Sequence, residues 1–180
     1  MTKPRFPTPG LSDALGATYV FGAGFDAGSG RSAQLKRLPP PQVITAAVTR
    51  GVCRWLGDMG FATLAEFKLG NGRRADVVGL NESGTILMVE VKSTPEDFRG
   101  DAKWLEYVPY CDAFSFAVPP HFPWQILPEN VGVVMADAHS AAIMRPAAQH
   151  RLHASRRKAL TLRFALAAGQ RLAGVVDPRI

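Results

Sequence analysis

The sequence predicts a single domain of the α/β (α+β) class, in which a mixed β-sheet is flanked by helices. Three observations predict this class: helical patterns at both ends of the domain, strand-like apolar runs between them, and a hydrophobic content of 47% in 180 residues. A chain of this size can bury the core of one domain without help from disulfides or a structural metal.

The N-terminal part of the chain differs in composition from the rest. Residues 1–38 are rich in Gly, Pro and Ser without a sustained period and predict a flexible tail, whereas residues 39–175 predict one domain. No apolar run approaches the roughly 18–20 residues that span a bilayer. We therefore expect a cytoplasmic protein that does not associate with membranes. The sequence does not indicate the oligomeric state.

The first helix is predicted to begin after the proline run at residues 39–41 and to end near Gly60, which favours a C-terminal cap. Its apolar residues repeat at intervals of three and four, as on a buried helical face. These residues are Val48, Val52, Trp55, Leu56 and Met59.

Three strand-like runs follow, at residues 61–69, 74–80 and 85–92. Asn71-Gly72 predicts the first turn and residues 82–84 predict the second. Gly84 can take the left-handed position of a three-residue hairpin loop. The first part of the sheet is therefore expected to be antiparallel.

A second helix is predicted from Thr94 to about Tyr110. Residues 94–97 supply a capping threonine, a proline and two acids, which together favour a helix start. Helical spacing would bring three residues onto one face, namely Arg99, Lys103 and Tyr107. We expect these three to contact nucleic acid, although Tyr107 and Trp104 could equally pack on the sheet.

The remaining elements are apolar strands at residues 113–118 and 131–136, a shorter run near 142–145, and a final helix at 155–173. The predicted order, α-β-β-β-α-β-β-(β)-α, contains a core of αβββαβ. Residues 151–180 carry seven Arg or Lys against one acid, out of a net charge of +6 for the chain. A basic element on a neutral body is typical of polyanion binding, so Arg156, Arg157 and Lys158 are candidate phosphate contacts.

Strand parity predicts the candidate site. In the third run, Ile86, Met88, Glu90 and Lys92 share one face of the strand, because successive side chains alternate. Two opposite charges thus lie on a strand whose other positions are nearly all apolar. Such charges need a partner, a metal ion or water.

The hairpin brings a second carboxylate into this site. If residues 82–84 form the loop, Asn81 lies opposite Thr85 and Asp76 lies opposite Glu90. Two carboxylates this close repel each other unless a cation lies between them, which favours Mg²⁺ or, in its place, Mn²⁺. The expected ligands are Asp76, Glu90, Glu66 and the backbone carbonyl of Val91. A divalent cation beside Lys92 suits phosphodiester hydrolysis, with Asp76, Glu90 and Lys92 as the catalytic set.

The spacing Asp76-(x13)-Glu90-Val91-Lys92 resembles the D…(D/E)xK signature of the PD-(D/E)XK nuclease superfamily. The predicted αβββαβ order is similar to that superfamily's core. A closer resemblance, over about residues 42–172, is to the MmcB family of DNA-repair endonucleases. It rests on RAD at 74–76, VEVKS at 89–93, DFRGDAKWLEY at 97–107 and CD at 111–112.

The resemblance implies a metal-dependent endonuclease that acts on DNA in repair, with other repair proteins as further expected partners. It also implies Asp76, Glu90 and Lys92 as the catalytic residues. Members of the superfamily often carry an acid on the first helix, where this chain has only Asp58 at its end. Two alternatives stay open. The three residues could form a structural salt-bridge cluster, or the fold could serve as a weak or inactive module that binds DNA or a repair partner. RNA is not distinguished from DNA by the residues.

Overall fold

The computed structural model describes residues 39–101 and 103–178, so the predicted tail at 1–38 lies outside the described residues. Nine helices and strands make up this described part, together with three short 3₁₀ helices. In chain order they are α1 (Pro41–Asp58), β1 (Ala62–Lys68), β2 (Arg74–Leu80), β3 (Ile86–Val91), α2 (Pro95–Arg99), β4 (Ala113–Val118), β5 (Gly132–Ala136), β6 (Ala141–Arg145) and α3 (Ala154–Val176). The 3₁₀ helices are Lys103–Glu106, Val108–Tyr110 and Trp124–Ile126.

The six strands form one mixed sheet in chain order, with β1 and β6 at its edges. Strands β1, β2 and β3 are antiparallel neighbours, β3, β4 and β5 are parallel, and β6 is antiparallel to β5. The predicted mixed sheet flanked by helices is therefore confirmed, and the short run near residue 142 is a genuine edge strand.

A hydrophobic core lies on each face of the sheet. Helix α1 covers one face and buries Val48, Val52 and Leu56 against residues such as Val77 and Val89. These three belong to the predicted apolar stripe of the first helix. Helix α1 passes close to the loop after β5 at Gly51. A Cβ atom at this position would collide with the backbone carbonyl oxygen of Asp137. Within the described residues, no helix is long and apolar enough to cross a membrane.

The second core lies under α3 and the segment that joins β3 to β4. Trp104 stacks on Phe114 with ring centroids 5.8 Å apart, and Phe116 meets the Trp104 ring edge-on. Helix α3 contributes Leu160 and Phe164 to this core. Successive residues of β3 contribute to opposite cores, Met88 to one and Val89 to the other. This is the arrangement that the alternation of side chains along a strand predicts.

The predicted long helix from Thr94 to Tyr110 is wrong. Thr94 does cap a helix, because its hydroxyl accepts a hydrogen bond from the Asp97 N–H, but α2 ends at Arg99 with Gly100 as its C-cap. The carboxylate of Asp101 then accepts the backbone N–H of Lys103 at 2.8 Å, an alternative to helical hydrogen bonding. Arg99, Lys103 and Tyr107 therefore do not share one helical face.

The β2–β3 hairpin has the predicted register. Leu80 lies opposite Ile86 and Val77 lies opposite Val89, which requires the three-residue loop at 82–84. Gly84 has a φ of 78° and donates its N–H to the carbonyl of Asn81. This register directs Asp76 and Glu90 to neighbouring positions at the far end of the hairpin.

Candidate active site

The two strands of the hairpin separate at Asp76. The ladder of paired residues ends at Val77 and Val89, and Asp76 is the next residue of β2. Its Oδ2 accepts the backbone N–H of Val91 at 2.8 Å, so a side chain takes the place that a strand carbonyl would occupy. Burial raises the pKa of Asp76, although the hydrogen bond from Val91 opposes the shift. The carboxylate is thus fixed beside β3 at the depth of Glu90.

Glu90 is a buried carboxyl group with an unpaired oxygen. It lies on β3, where all six residues are buried, and is only 7% exposed. Oε1 lies 3.5 Å from Lys92 Nζ, whereas Oε2 has no hydrogen-bond partner among the described residues. Burial, and then the charge of Asp76, raise the pKa of Glu90 to about 8. Two carboxyl groups therefore lie close together in a buried position, where their negative charges repel each other. Such a position can accept a cation or a proton.

Lys92 is 3% exposed and lies directly after β3 on the Glu90 side. Its amine donates a hydrogen bond of 2.7 Å to Oδ2 of Asp101 and lies 3.5 Å from Glu90. Burial alone would lower the pKa of Lys92, but Asp101 and then Glu90 raise it above its ordinary value. The group is consequently an ammonium ion at neutral pH, not a general base.

Asp101 and Asp97 are members of the site that the sequence analysis missed. Burial would raise the pKa of Asp101, but hydrogen bonds from the Lys92 amine and the Lys103 N–H hold it below its ordinary value. Asp97, on α2, accepts the N–H of Ser93 and lies 4.0 Å from the Lys92 amine. The signal in the sequence was the glycine before Asp101, which ends the helix and allows the carboxylate to turn back toward β3.

Glu66 holds the register position opposite Asp76, at an interruption of the β1–β2 ladder. It has a φ of 53°, unusual for a residue with a side chain, and its carboxylate forms an ion pair of 2.7 Å with Arg74. Across the described residues, no three His, Cys, Asp or Glu side chains converge as a metal site. Glu66 is therefore next to the acidic pair but directed to Arg74.

The donor set at Asp76 and Glu90 nevertheless fits a hard divalent cation. Such ions prefer carboxylate oxygens, and here two carboxyl groups adjoin at the end of the hairpin with one oxygen unpaired. A cation at this position would remove both the mutual repulsion and the unsatisfied buried oxygen.

The residues predicted to contact nucleic acid do not form one group. Arg99 and Lys103 are exposed, and Arg99 lies 3.3 Å from Glu96. Tyr107 is buried, with its ring stacked 6.1 Å from that of Phe114 and its hydroxyl donating to the carbonyl of Arg74. Burial raises the pKa of Tyr107 to about 12. A contact between Tyr107 and DNA would require this ring to leave the core.

The basic first turn of α3 is largely engaged with the protein itself. Both terminal nitrogens of Arg157 donate to Asp112 at 2.6 Å, and the Asp112 carboxylate also accepts the N–H groups of Ile86 and Leu152. Arg156 donates to the carbonyl of Pro109. Lys158 is exposed. Arg157 thus anchors α3 to the sheet.

The fold and the site together define an α/β protein whose internal strand ends in a buried glutamate and lysine facing an aspartate from the neighbouring strand. The chain belongs to the family described as DNA repair protein MmcB-like, whose sequence model matches residues 31–179. This membership suggests a role in DNA repair and interaction with DNA.

A solved structure supports the fold. The chain is similar to a protein of unknown function from Silicibacter pomeroyi, with 41% identity, a TM-score of 0.72, and coverage of 79% of this chain and 94% of that one. No curated protein shows significant similarity to the chain.

Proposed function

We propose that this protein is a metal-dependent DNA endonuclease of the PD-(D/E)XK type that acts in DNA repair. The observation that carries the proposal is the unpaired, buried Oε2 of Glu90 beside Asp76, with Lys92 adjacent. Burying an unsatisfied carboxyl oxygen is costly, and such groups are typical of functional sites. The DNA-repair family supports the choice of DNA over RNA as substrate.

Asp76 and Glu90 would hold Mg²⁺ or Mn²⁺, with the carbonyl of Val91 as a further ligand. Glu66 would join them if its carboxylate left Arg74. When bound, the cation would supply Lewis-acid stabilisation of negative charge on the scissile phosphate. The role of the protein is to fix two carboxylates in a water-poor position at the end of a rigid strand.

Lys92 would act as a positive charge. Because the hydrogen bond to Asp101 keeps its amine protonated, Lys92 can stabilise the charge that develops on the phosphate, as preorganised cations do in other sites. Asp101 would hold the ammonium in place through its 2.7 Å hydrogen bond and, with Asp97, offset its charge when no substrate is bound.

Incubation of the 180-residue protein with single-stranded, duplex, branched and crosslinked DNA, and with RNA of matched sequence, tests this function. Each substrate is incubated with Mg²⁺, with Mn²⁺ and with a chelator. We expect internal cleavage of at least one DNA form that requires the divalent cation. Cleavage that persists in the chelator, or that is confined to RNA, would contradict the proposal.

A second candidate is a module that binds DNA structures or a repair partner without hydrolysis. It is favoured by the absence of a third converging metal ligand within the described residues and by the pairing of Lys92 with Asp101. Calorimetric titration of Mn²⁺ into the wild type and Asp76→Ala separates the two candidates. Heat that disappears in Asp76→Ala supports the nuclease, whereas no heat in either protein, together with no cleavage, supports the binding module.

A further inference from the structure

A groove of about 710 Å³ lies between the edge strand β1 and helix α3. Its lining includes Lys68 from the strand and Arg163, Gln170 and Arg171 from the helix. We propose that this groove binds the sugar–phosphate backbone of a DNA strand that enters the site at Asp76 and Glu90. The proposal rests on the DNA-directed function proposed above and specifies where the substrate lies.

The charge of the groove favours a polyanion. Helix α3 contains five Arg or Lys and no acid. Arg163 and Arg171 line the groove from the helix, and Lys68 is exposed on the opposite wall. Among the described residues that line the groove, Glu66 is the one acid, and its carboxylate forms an ion pair with Arg74. The groove therefore presents a net positive charge, which is the requirement for binding phosphates.

The basic first turn of α3 is a weaker candidate for this role. Arg157 forms a two-pronged ion pair with Asp112, and Arg156 is bonded to the carbonyl of Pro109 and packs on the ring of Tyr110. Use of these two guanidinium groups for phosphate would release the helix from the sheet. Arg163 and Arg171 line the groove about two and four turns further along. Among the described residues, the Arg163 side chain makes no hydrogen bond or ion pair, and Arg171 makes a single side-chain hydrogen bond of 3.2 Å, to the carbonyl of Glu66.

Position and dimensions also fit. Residues 159, 163, 167 and 171 repeat at intervals of four, so they form one face of α3 that looks toward β1. Arg163 and Arg171 lie about 12 Å apart along the helix axis, which matches about three to four phosphates of one strand at the axial spacing of duplex DNA.

The groove is continuous with the site through Glu66. A nitrogen of Arg171 donates to the backbone carbonyl of Glu66 at 3.2 Å, and Glu66 holds the register position opposite Asp76. A DNA strand bound by Arg163 and Arg171 would therefore pass along β1 at Glu66, one strand away from Asp76 of the acidic pair.

The test measures DNA binding by the whole 180-residue chain in a chelator, so that cleavage does not contribute. Fluorescence anisotropy follows labelled single-stranded and duplex DNA at several NaCl concentrations. The groove variant is Arg163→Gln with Arg171→Gln. The control, with the same loss of charge, is Arg50→Gln with Arg54→Gln on α1, which covers the other face of the sheet.

We expect each groove arginine to contribute about tenfold to affinity at 0.1 M salt, and the slope of log K against log salt to fall by about two units in the double variant. The control pair should bind within about threefold of the wild type under the same counterion argument. The same titrations show whether the protein prefers single-stranded or duplex DNA, and this preference indicates which form occupies the groove.

Equal losses in the two pairs, or unchanged affinity in the groove pair, would overturn the proposal. Unchanged affinity would instead mark the groove as a surface for a protein, since Leu162 and Leu166 are exposed within it. Because binding is measured without metal, a protein that binds through the groove but cleaves no DNA would sustain this inference and contradict the nuclease. DNA cleavage by the wild type together with unchanged DNA binding by the groove variant would support the nuclease and contradict this inference.

Discussion

The carboxylate of Asp101 accepts a hydrogen bond of 2.7 Å from the buried amine of Lys92. This contact joins the loop after α2 to the end of β3. It keeps Lys92 protonated and pointed at the space beside Glu90. The loop is thus part of the candidate site, and we expect its sequence to matter for the proposed cleavage even though it is not among the proposed metal ligands.

Asp101→Asn is expected to lower kcat of DNA cleavage by about tenfold, equivalent to about 1.4 kcal/mol, with little change in KM. The neutral amide still accepts a hydrogen bond but no longer fixes the ammonium by charge. Steady-state kinetics measure the change, and Asp101→Glu should recover part of the loss. Glu96→Gln, an exposed acid on the neighbouring helix, is the matched control. Equal kcat in Asp101→Asn and Glu96→Gln would contradict this role.

Metal affinity is expected to depend on pH. Because the pKa of Glu90 is raised to about 8, its metal-free carboxyl group carries a proton at pH 6 to 7, and cation binding must release it. Affinity for Mn²⁺ should therefore rise by up to about tenfold per pH unit from pH 6 to 8 and then level off. Calorimetry in buffers of different ionisation enthalpy measures both the affinity and the released proton. Constant affinity across this range would contradict the assignment.

The same shift predicts how stability depends on pH in a chelator. The pKa of Glu90 is higher in the folded protein than in the unfolded chain, so the folded state binds the extra proton between about pH 5 and 8. The free energy of unfolding should fall as pH rises through this window. Glu90→Gln should remove the fall, and urea melts at several pH values show whether it does.

Helix α3 is expected to depend on a single arginine for its attachment. Arg157→Met removes charge-assisted hydrogen bonds to Asp112 and should lower the free energy of unfolding by about 1.5–3 kcal/mol. Lys158→Met, at the next and exposed position, should change it by less than about 0.5 kcal/mol. Denaturant unfolding of both variants provides the comparison, and similar values would mean that Arg157 does not anchor the helix.

Two glycines of α1 are expected to respond to alanine with opposite signs. A methyl group at Gly51 collides with the carbonyl of Asp137, so Gly51→Ala should destabilise the fold. Gly57 has open space around a Cβ, and Gly57→Ala should stabilise the same helix by about 0.5–1 kcal/mol. Thermal melts measure both changes, and stabilisation by Gly51→Ala would contradict the packing of α1 on the loop after β5.

The hairpin was accessible from sequence because its information is local. A three-residue loop with glycine at the left-handed position sets the register, and alternation then places Glu90 and Lys92 on one face. The helix after Thr94 was not predicted correctly, because helical spacing continues through residues 99–107 while the Asp101 side chain competes for a backbone N–H. That competition depends on Lys92, a tertiary partner.

The tertiary position of the last helix could not be predicted either. A basic first turn is typical of phosphate binding, but Arg157 forms an ion pair with Asp112, which lies 45 residues earlier in the chain. Lys68 and Arg171 both line the groove although about 100 residues separate them in the sequence. No local sequence pattern encodes their proximity in space.

The most direct test of the central claim compares the initial rate of Mg²⁺-dependent DNA cleavage by the wild type, Glu90→Gln and Lys92→Met. Both substitutions nearly preserve side-chain size, and circular dichroism is used to check that each variant is folded before its rate is compared. Loss of the Glu90 carboxylate or the Lys92 charge should lower the rate by about 10²–10³-fold. Cleavage by folded Glu90→Gln at the wild-type rate would contradict the account, because the activity would then arise elsewhere.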